Sequence, residues 1–426
     1  MQVPTLSTPA IDDEDPSVPV VVGAVIAGVF FGGVGGGVAF PTLPTLGSVL
    51  GISSFVVGLI LSVNRFTRLL LNTPAGQVLD KIGTRRPMLI GLVVQGMVPF
   101  GYVVALDPGP IPLSSAAIFF LSRACWGVGS AFVFVGAFTT VTHVTTEANR
   151  GKWVGYMRGG QSLGFPAGLI LGGILTDLYG YSEAFTAAGV AGLFAAFVAF
   201  AVLPNVDSGP TATTRLRDLP AVVRADARVL GIGVTNMTVR FLYAGVLLST
   251  AVLYTREYDI ALGSLASTGV SGIVMAITVL AMAVTTLFVG RLSDTLPSRT
   301  YTVLPALGLF ASGFAVLALF PTVGGTVVGV TIIGIGVGGT GPPLMAYLGD
   351  IAPGGDVGKL GGVYNVFGDL GSTLGPLVAL PLAVRVGVAT EYLLCAGLAT
   401  LAAVMVFATL DGDPEPIRRP EVVPDD

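Results

Sequence analysis

The chain has 426 residues, of which 53% are apolar and only 11% charged, with a formal net charge of −4 and a mean hydropathy of +0.84. A soluble domain carries roughly 25% charged residues, so this composition cannot cover a water-facing surface, whereas it suits a set of membrane helices. No basic patch exists outside short loops, which argues against nucleic-acid binding.

The chain opens with an acidic tail, residues 1–18, that contains Asp12-Asp13-Glu14-Asp15 and no Lys or Arg. A signal peptide would need a basic start, so the first apolar segment is expected to be a retained span. A bilayer core of about 30 Å needs about 20 helical residues. Apolar stretches of that length predict twelve spans: 19–41, 53–76, 88–106, 114–142, 151–176, 183–204, 229–254, 263–290, 301–320, 323–349, 359–384 and 390–410. Pro41 and Pro44, Asp107-Pro108-Gly109-Pro110, and Pro353-Gly354-Gly355 are read as breaks. One connection, 205–228, is longer and carries Arg215, Arg217, Arg224 and Arg228. It divides the chain into an N-terminal half, 19–204, and a C-terminal half, 229–410, with a second acidic tail at 411–426.

Loop charge gives the expected orientation. The connections after even-numbered spans hold twelve Lys and Arg residues; those after odd-numbered spans hold only Arg256 and Arg385. Both termini are therefore expected in the cytoplasm, and the protein in the cell membrane.

The halves echo one another. Gly151-Lys152, Gly155, Gly164 and Gly168 of span 5 recur, 207 residues on, as Gly358-Lys359, Gly362, Gly371 and Gly375 of span 11. Gly76-Gln-Val-Leu-Asp80 recurs in outline as Gly290-Arg-Leu-Ser-Asp294. Two parallel six-span repeats suggest a carrier that rocks one half against the other around a central site.

Several motifs give this plan a family. Gly76-Gln-Val-Leu-Asp80-Lys81-Ile-Gly83-Thr-Arg85-Arg86-Pro87, between spans 2 and 3, resembles the signature loop of the major facilitator superfamily (MFS), G-x-L-x-D-R-x-G-R-R/K. Arg123-Ala-Cys-Trp126-Gly127-Val-Gly129 is similar to that family's R-x-x-Q-G-x-G motif, with Trp126 in place of Gln. Gly160-Gln-Ser-Leu-Gly164-Phe-Pro166 resembles the G-x-x-x-G-P motif of proton-coupled exporters, interrupted by Phe165; Gly371-Ser-Thr-Leu-Gly375-Pro376 fits it better, in the other half. The resemblance implies an all-α membrane protein of twelve transmembrane helices in two six-helix bundles. It implies a conformational latch at Gly76, Asp80, Gly83, Arg85, Arg86 and an acidic partner, Glu147. It also implies packing or hinge roles for Gly164, Pro166, Gly371, Gly375 and Pro376.

Charged groups inside the spans are the candidate path. A charge at the bilayer centre costs roughly 2.5–3.5 kcal/mol on insertion scales, so such groups face a cavity or a partner. Arg65, Arg68, Arg123, Arg158 and Arg240 fall within spans, and Asp369 is read as the one acid clearly inside. Each arginine can be structural or substrate-facing; jointly they favour a cavity that tolerates anionic groups. Asp369 reads either as a titrating carboxylate or as the counter-ion of an arginine. Asn236 and Asn365 are polar lining or interhelical contacts.

Enzyme and cofactor chemistry find no support. Gly336-Val-Gly338-Gly-Thr-Gly341 satisfies G-x-G-x-x-G but lies inside span 10 with no preceding strand, so it is read as close helix packing. Cys125, Cys395 and the single His143 show no metal-ligand spacing. No cofactor and no metal are expected. The expected function is secondary active transport of a small solute by alternating access, as a monomer, with proton-coupled efflux of a drug-like or metabolite substrate. An organic or inorganic anion carrier is the alternative within transport. A non-transporting membrane sensor with the same fold is the alternative from another class.

Overall fold

The computed structural model describes residues 17–146, 149–204, 226–352 and 357–410. Among the described residues, twelve helices are long and apolar enough to cross a membrane. They are α1 (Val18–Val49), α2 (Ser54–Ile82), α3 (Arg85–Leu106), α4 (Ser115–Val144), α5 (Arg150–Tyr179), α6 (Tyr181–Val202), α7 (Ala227–Glu257), α8 (Ser267–Thr295), α9 (Thr300–Leu319), α10 (Val323–Ile351), α11 (Val357–Val386) and α12 (Val388–Leu410). Large apolar side chains such as Phe194, Phe197, Phe200, Leu401, Val404 and Phe407 stand on the outside of the molecule. That inverted surface suits a lipid solvent, and the chain is a multi-pass membrane protein.

The expected spans are all present, half of them longer by about a turn or more. The largest difference is α1. Pro41 and Pro44 do not break it, and it continues to Val49. In lipid a helix tolerates proline where neighbouring groups re-satisfy the freed backbone. Around the two prolines the Thr42 hydroxyl donates to Val38 O and the Thr45 hydroxyl to Thr42 O, at 2.8 and 2.7 Å, so these buried hydroxyls find their acceptors within the helix. A second feature was not expected. Phe241–Leu247, in the middle of α7, is a π-helical segment between two α-helical ones. The long connection 205–228 lies outside the described residues up to 225.

The helices pack as two bundles. In the first, α1 packs on α5 and α6, α3 on α4 and α6, and α2 on α4; in the second, α9 packs on α10 and α12, α8 on α10, and α11 on α7. The sequence echo reappears as packing. A Cβ added to Gly164 would stand 2.1 Å from Phe30 O, and one added to Gly168 would stand 2.2 Å from Val34 O. A Cβ at Gly371 would stand 2.2 Å from Met237 O, and one at Gly375 2.9 Å from Phe241 O. Each atom of the second set lies 207 residues after its counterpart. Only glycine allows these crossings of α1 with α5 and of α7 with α11.

The bundles meet along two main seams, α2 with α11 and α5 with α8. We call the face with the connections after α2, α4, α8 and α10 the even face, and the opposite one the odd face. Hydrogen bonds between described residues of the two bundles run from mid-depth to the odd face: Arg65 to Ala244 and Ser372, Arg68 to Asp369, Asp177 to Gly269, and Arg256 to Ser48. Toward the even face, parts of the same surfaces meet nothing among the described residues. Gly155, Gly159, Leu169 and Gly173 share one face of α5. A Cβ at Gly173 would meet Thr268 O at 2.6 Å, whereas nothing lies within 4 Å of one at Gly155 or Gly159. On α11, Pro376 touches α2 near Gly58, while Asn365, on the same stripe, is exposed.

Candidate functional site: the cationic seam between the bundles

The floor of the bare region is built from consecutive turns of α2. Asn64 turns into its own bundle and Arg65 turns across the seam. The Arg65 Nη1 donates to Ala244 O at 2.9 Å and to Ser372 O at 2.8 Å, on two helices of the other bundle. Both carbonyls lack an ordinary helical donor. Ser372 O would receive the amide of residue 376, which is Pro376 and has none. Ala244 O would receive the amide of Leu248, which instead reaches Tyr243 O, five residues back, at the end of the π segment. Two helix irregularities thus leave two carbonyls that one guanidinium joins.

One turn further along α2, Arg68 Nη2 lies 3.4 Å from Asp369 Oδ1 of α11, with both side chains about one-quarter exposed. Arg68 also stands over the Phe134 ring, and Arg65 over Phe40, at 5.5 and 5.1 Å from the ring centroids. Of the two readings of Asp369, the geometry is that of a counter-ion to Arg68. Arg65 lies within electrostatic reach of Arg68, Arg123, Asp369 and Tyr243, and Tyr243 is in turn within reach of Arg240.

Arg123 is fully buried and faces its own bundle. Its Nη2 donates to Asn64 Oδ1 at 3.0 Å, and it stands over Phe40 and Trp126 at 5.9 and 5.8 Å. Its Nε and Nη1 have no hydrogen-bond partner among the described residues. Trp126, where the family motif has Gln, is therefore an aromatic wall for the guanidinium.

Arg240 and Arg158 are placed differently. Between residues 231 and 255 of α7, Arg240 is the one exposed residue, in a helix otherwise enclosed by protein. It lies beside Gly368 and Asn236; the Asn236 Nδ2 donates to Tyr364 O at 2.7 Å. Arg158 is exposed and lies on the stripe of α5 that includes the inward-facing Phe165 and Leu169. Neither makes an ion pair among the described residues. Of the predicted path residues, Arg65 and Asp369 therefore meet at the seam around Arg68, Arg123 turns into its own bundle, Asn236 ties α7 to α11, Arg158 and Asn365 lie exposed on stripes that meet the other bundle further along, and Arg240 is exposed.

The signature loop sits on the even face. Gly76 is buried in α2, Asp80 is half-buried in its last turn, and Gly83 ends the helix with φ 78°, its amide reaching Leu79 O at 2.9 Å. Arg85 Nη2 donates to Phe200 O of α6 at 2.9 Å, within its own bundle, and Arg86 is exposed. Glu147, the expected acidic partner, lies outside the described residues.

Two acids escaped the sequence reading. Glu391, in the first turn of α12, is 1% exposed, and neither carboxylate oxygen has a hydrogen-bond partner among the described residues. Asp369 is thus not the one enclosed acid. Asp177, just past the expected end of span 5, bonds across the seam at 2.7 Å.

With this geometry in place, comparison with known proteins is decisive for the family. The sequence model of the Major Facilitator Superfamily matches residues 25–268 and 245–425. The chain belongs to the Major Facilitator Superfamily. It is 27% identical to Multidrug resistance protein 1 of Bacillus subtilis over 186 residues, 44% of this chain and 46% of that one. It is 22% identical to Quinolone resistance protein NorA of Staphylococcus aureus over 175 residues, 41% of this chain and 43% of that one. These matches thus span less than half the length of the relatives. Among solved structures, the nucleoside transporter NupG superposes with a TM-score of 0.76 at 13% identity, covering 92% of this chain and 100% of that one. A bacterial homologue of the human lysosomal transporter Spinster, inward-facing and occupied, superposes at 0.73 and 15% identity, covering 93% and 97%. The human organic anion transporter MFSD10 superposes at 0.61 and 20% identity, covering 92% and 100%. Such identities establish the shared fold.

Proposed function

We propose that the protein is a secondary active transporter that moves a small drug-like or metabolite solute out across the cytoplasmic membrane by alternating access, coupled to protons. The observation that carries this reading is the seam itself, joined from mid-depth to the odd face and, among the described residues, parted along α5 toward the even face, with the Arg65–Arg68–Asp369 cluster at its floor. In this reading the even face and both termini are cytoplasmic, as the loop charges suggest. Residues 19–204 and 229–410 rock as two units joined by 205–228, the Gly76–Arg86 loop latches the even face in the opposite state, and the protein works as a monomer. The multidrug-resistance relatives support efflux. The test is flux in proteoliposomes with an imposed pH gradient. Solute movement that follows the gradient and collapses with a protonophore supports the reading; flux indifferent to the gradient removes proton coupling.

A second reading has its own support. Arg158 and Arg240 are exposed within their spans and make no ion pair among the described residues. An anionic group on the solute would give both guanidiniums a partner. Competition assays with organic anions and amphipathic cations separate the two classes.

A further inference from the structure

The two seams are built alike and held differently. In the α2–α11 seam, α2 caps its own N-terminus: the Ser53 hydroxyl accepts the Val56 amide at 3.4 Å. Its counterpart in the second bundle is α8, whose N-cap position is Ala266, with no side-chain acceptor to offer. An uncapped helix start leaves amide donors unsatisfied, and the N2 or N3 amide is the one a capping side chain normally takes. Here the third helical amide, that of Gly269, donates at 2.7 Å to Asp177 Oδ2, which comes from the last turns of α5 in the other bundle. The surroundings are shaped for this contact. A Cβ at Gly269 would stand 2.6 Å from that oxygen. A Cβ at Gly173 would stand 2.6 Å from Thr268 O, and one at Gly272 2.2 Å from Leu169 O. Three glycines thus bring the two backbones together where the carboxylate crosses.

We propose that Asp177 is a cap supplied in trans: a carboxylate of the first bundle that completes the N-terminus of α8 in the second and thereby holds the odd face closed. The inference rests on the alternating-access reading and names what must break for the odd face to open. The arrangement links a local helical need to a global state. While the odd face is closed, the α8 amide has its acceptor and the negative charge sits at the positive end of the helix dipole. When the bundles part, α8 loses its cap and Asp177 its donor, so closure is favoured by the free energy of a cap. Ala266 is the enabling residue, because a serine there would satisfy α8 whether or not the bundles touched.

Asp177 is a positioning residue, and its test must separate gating from folding. Cys125 and Cys395 are replaced in the full-length protein, and spin labels are placed at Tyr179→Cys and Leu262→Cys, both exposed positions on the odd face. Distance distributions are recorded without substrate for the parent, Asp177→Asn, Asp177→Ala, Gly269→Ala and the double variant Asp177→Ala/Ala266→Ser. The parent should give one short distance. Asp177→Ala and Gly269→Ala should raise the ratio of long to short distances by roughly fivefold, the scale of a lost cap, and Asp177→Asn by less, since it keeps an acceptor. The double variant should regain thermal stability yet remain open. Unchanged distances in Asp177→Ala and Gly269→Ala overturn the proposal. So does a double variant that regains the closed distance, because the cap would then serve only the folding of α8. The measurement needs no solute, so absence of flux would count against the transport reading and not against the cap.

Discussion

Arg68 and Asp369 form a salt bridge of 3.4 Å whose two partners come from opposite bundles, α2 and α11. At about one-quarter exposure the pair is neither a solvated surface contact nor a desolvated core one. Its coupling is expected near the upper end of the exposed range, about 1 kcal/mol. Arg68→Gln and Asp369→Asn should each destabilise the closed odd face, and the swap Arg68→Asp/Asp369→Arg should recover most of that loss. A double-mutant cycle on thermal unfolding checks this; zero coupling would make the contact incidental.

Arg65 should matter more than Arg68, because it alone serves two carbonyls whose helical donors are absent. Hydrogen bonds from a charged donor are worth about 1.5–3 kcal/mol, so Arg65→Gln should cost at least one such bond in thermal stability. Pro376→Ala is the sharper probe. It returns an amide to α11, lets Ser372 O close its helical bond, and so makes Arg65 partly dispensable. The loss caused by Arg65→Gln should therefore be smaller in a Pro376→Ala background than in the parent. Equal losses in both would show that Pro376 does not create the Arg65 site.

That relationship marks where the sequence was legible. Twelve apolar stretches and a 207-residue echo were enough for the fold, because lipid demands long apolar helices and repeats keep their packing glycines. Gly164, Gly168, Gly371 and Gly375 could be picked out because close crossings need small residues at fixed spacing. The intramembrane arginines stood out by their cost, but their partners did not. Arg65 reaches backbone carbonyls, and backbone acceptors carry no signature. The π segment of α7 has no proline or glycine pattern that distinguishes Phe241–Leu247 from an ordinary turn. Asp177 lay beyond the expected end of span 5, and its meaning depends on an alanine 89 positions later failing to cap a helix. Pro41 and Pro44 were read as a stop, yet α1 runs through both, because membrane helices tolerate interior proline better than soluble ones do.

Arg240 and Arg158 lend themselves to a substrate experiment. Both are exposed and make no ion pair among the described residues, so neutralising either leaves no buried counter-charge behind. Arg240→Gln and Arg158→Gln should therefore leave thermal stability nearly unchanged. If the solute is anionic, each should weaken its apparent affinity by about tenfold, the loss of one charge-assisted hydrogen bond. Binding of neutral or cationic solutes should be unaffected. Arg123→Gln, in contrast, should lower stability for every ligand, because Arg123 is enclosed and bonded to Asn64 at 3.0 Å. Equal effects of the Arg240 and Arg158 changes on cations and anions would assign both residues to architecture.

The bare stripe of α5 gives a test of the motion itself. Gly155 and Gly159 have nothing within 4 Å of an added Cβ, so Gly159→Ala costs no packing in this conformation and adds a better helix former. Its stability should rise by a few tenths of a kcal/mol or more. Further along the same face, Gly173 shows what such a position becomes when the bundles meet, with a Cβ 2.6 Å from Thr268 O. If alternating access brings α5 and α8 together at the even face as they already meet at the odd face, Gly159→Ala and more so Gly159→Leu will obstruct that closure. Flux should then fall severalfold while thermal stability holds or improves. Parallel loss of both would point to misfolding, and flux unaffected by leucine would show that the even ends of α5 and α8 never come into contact.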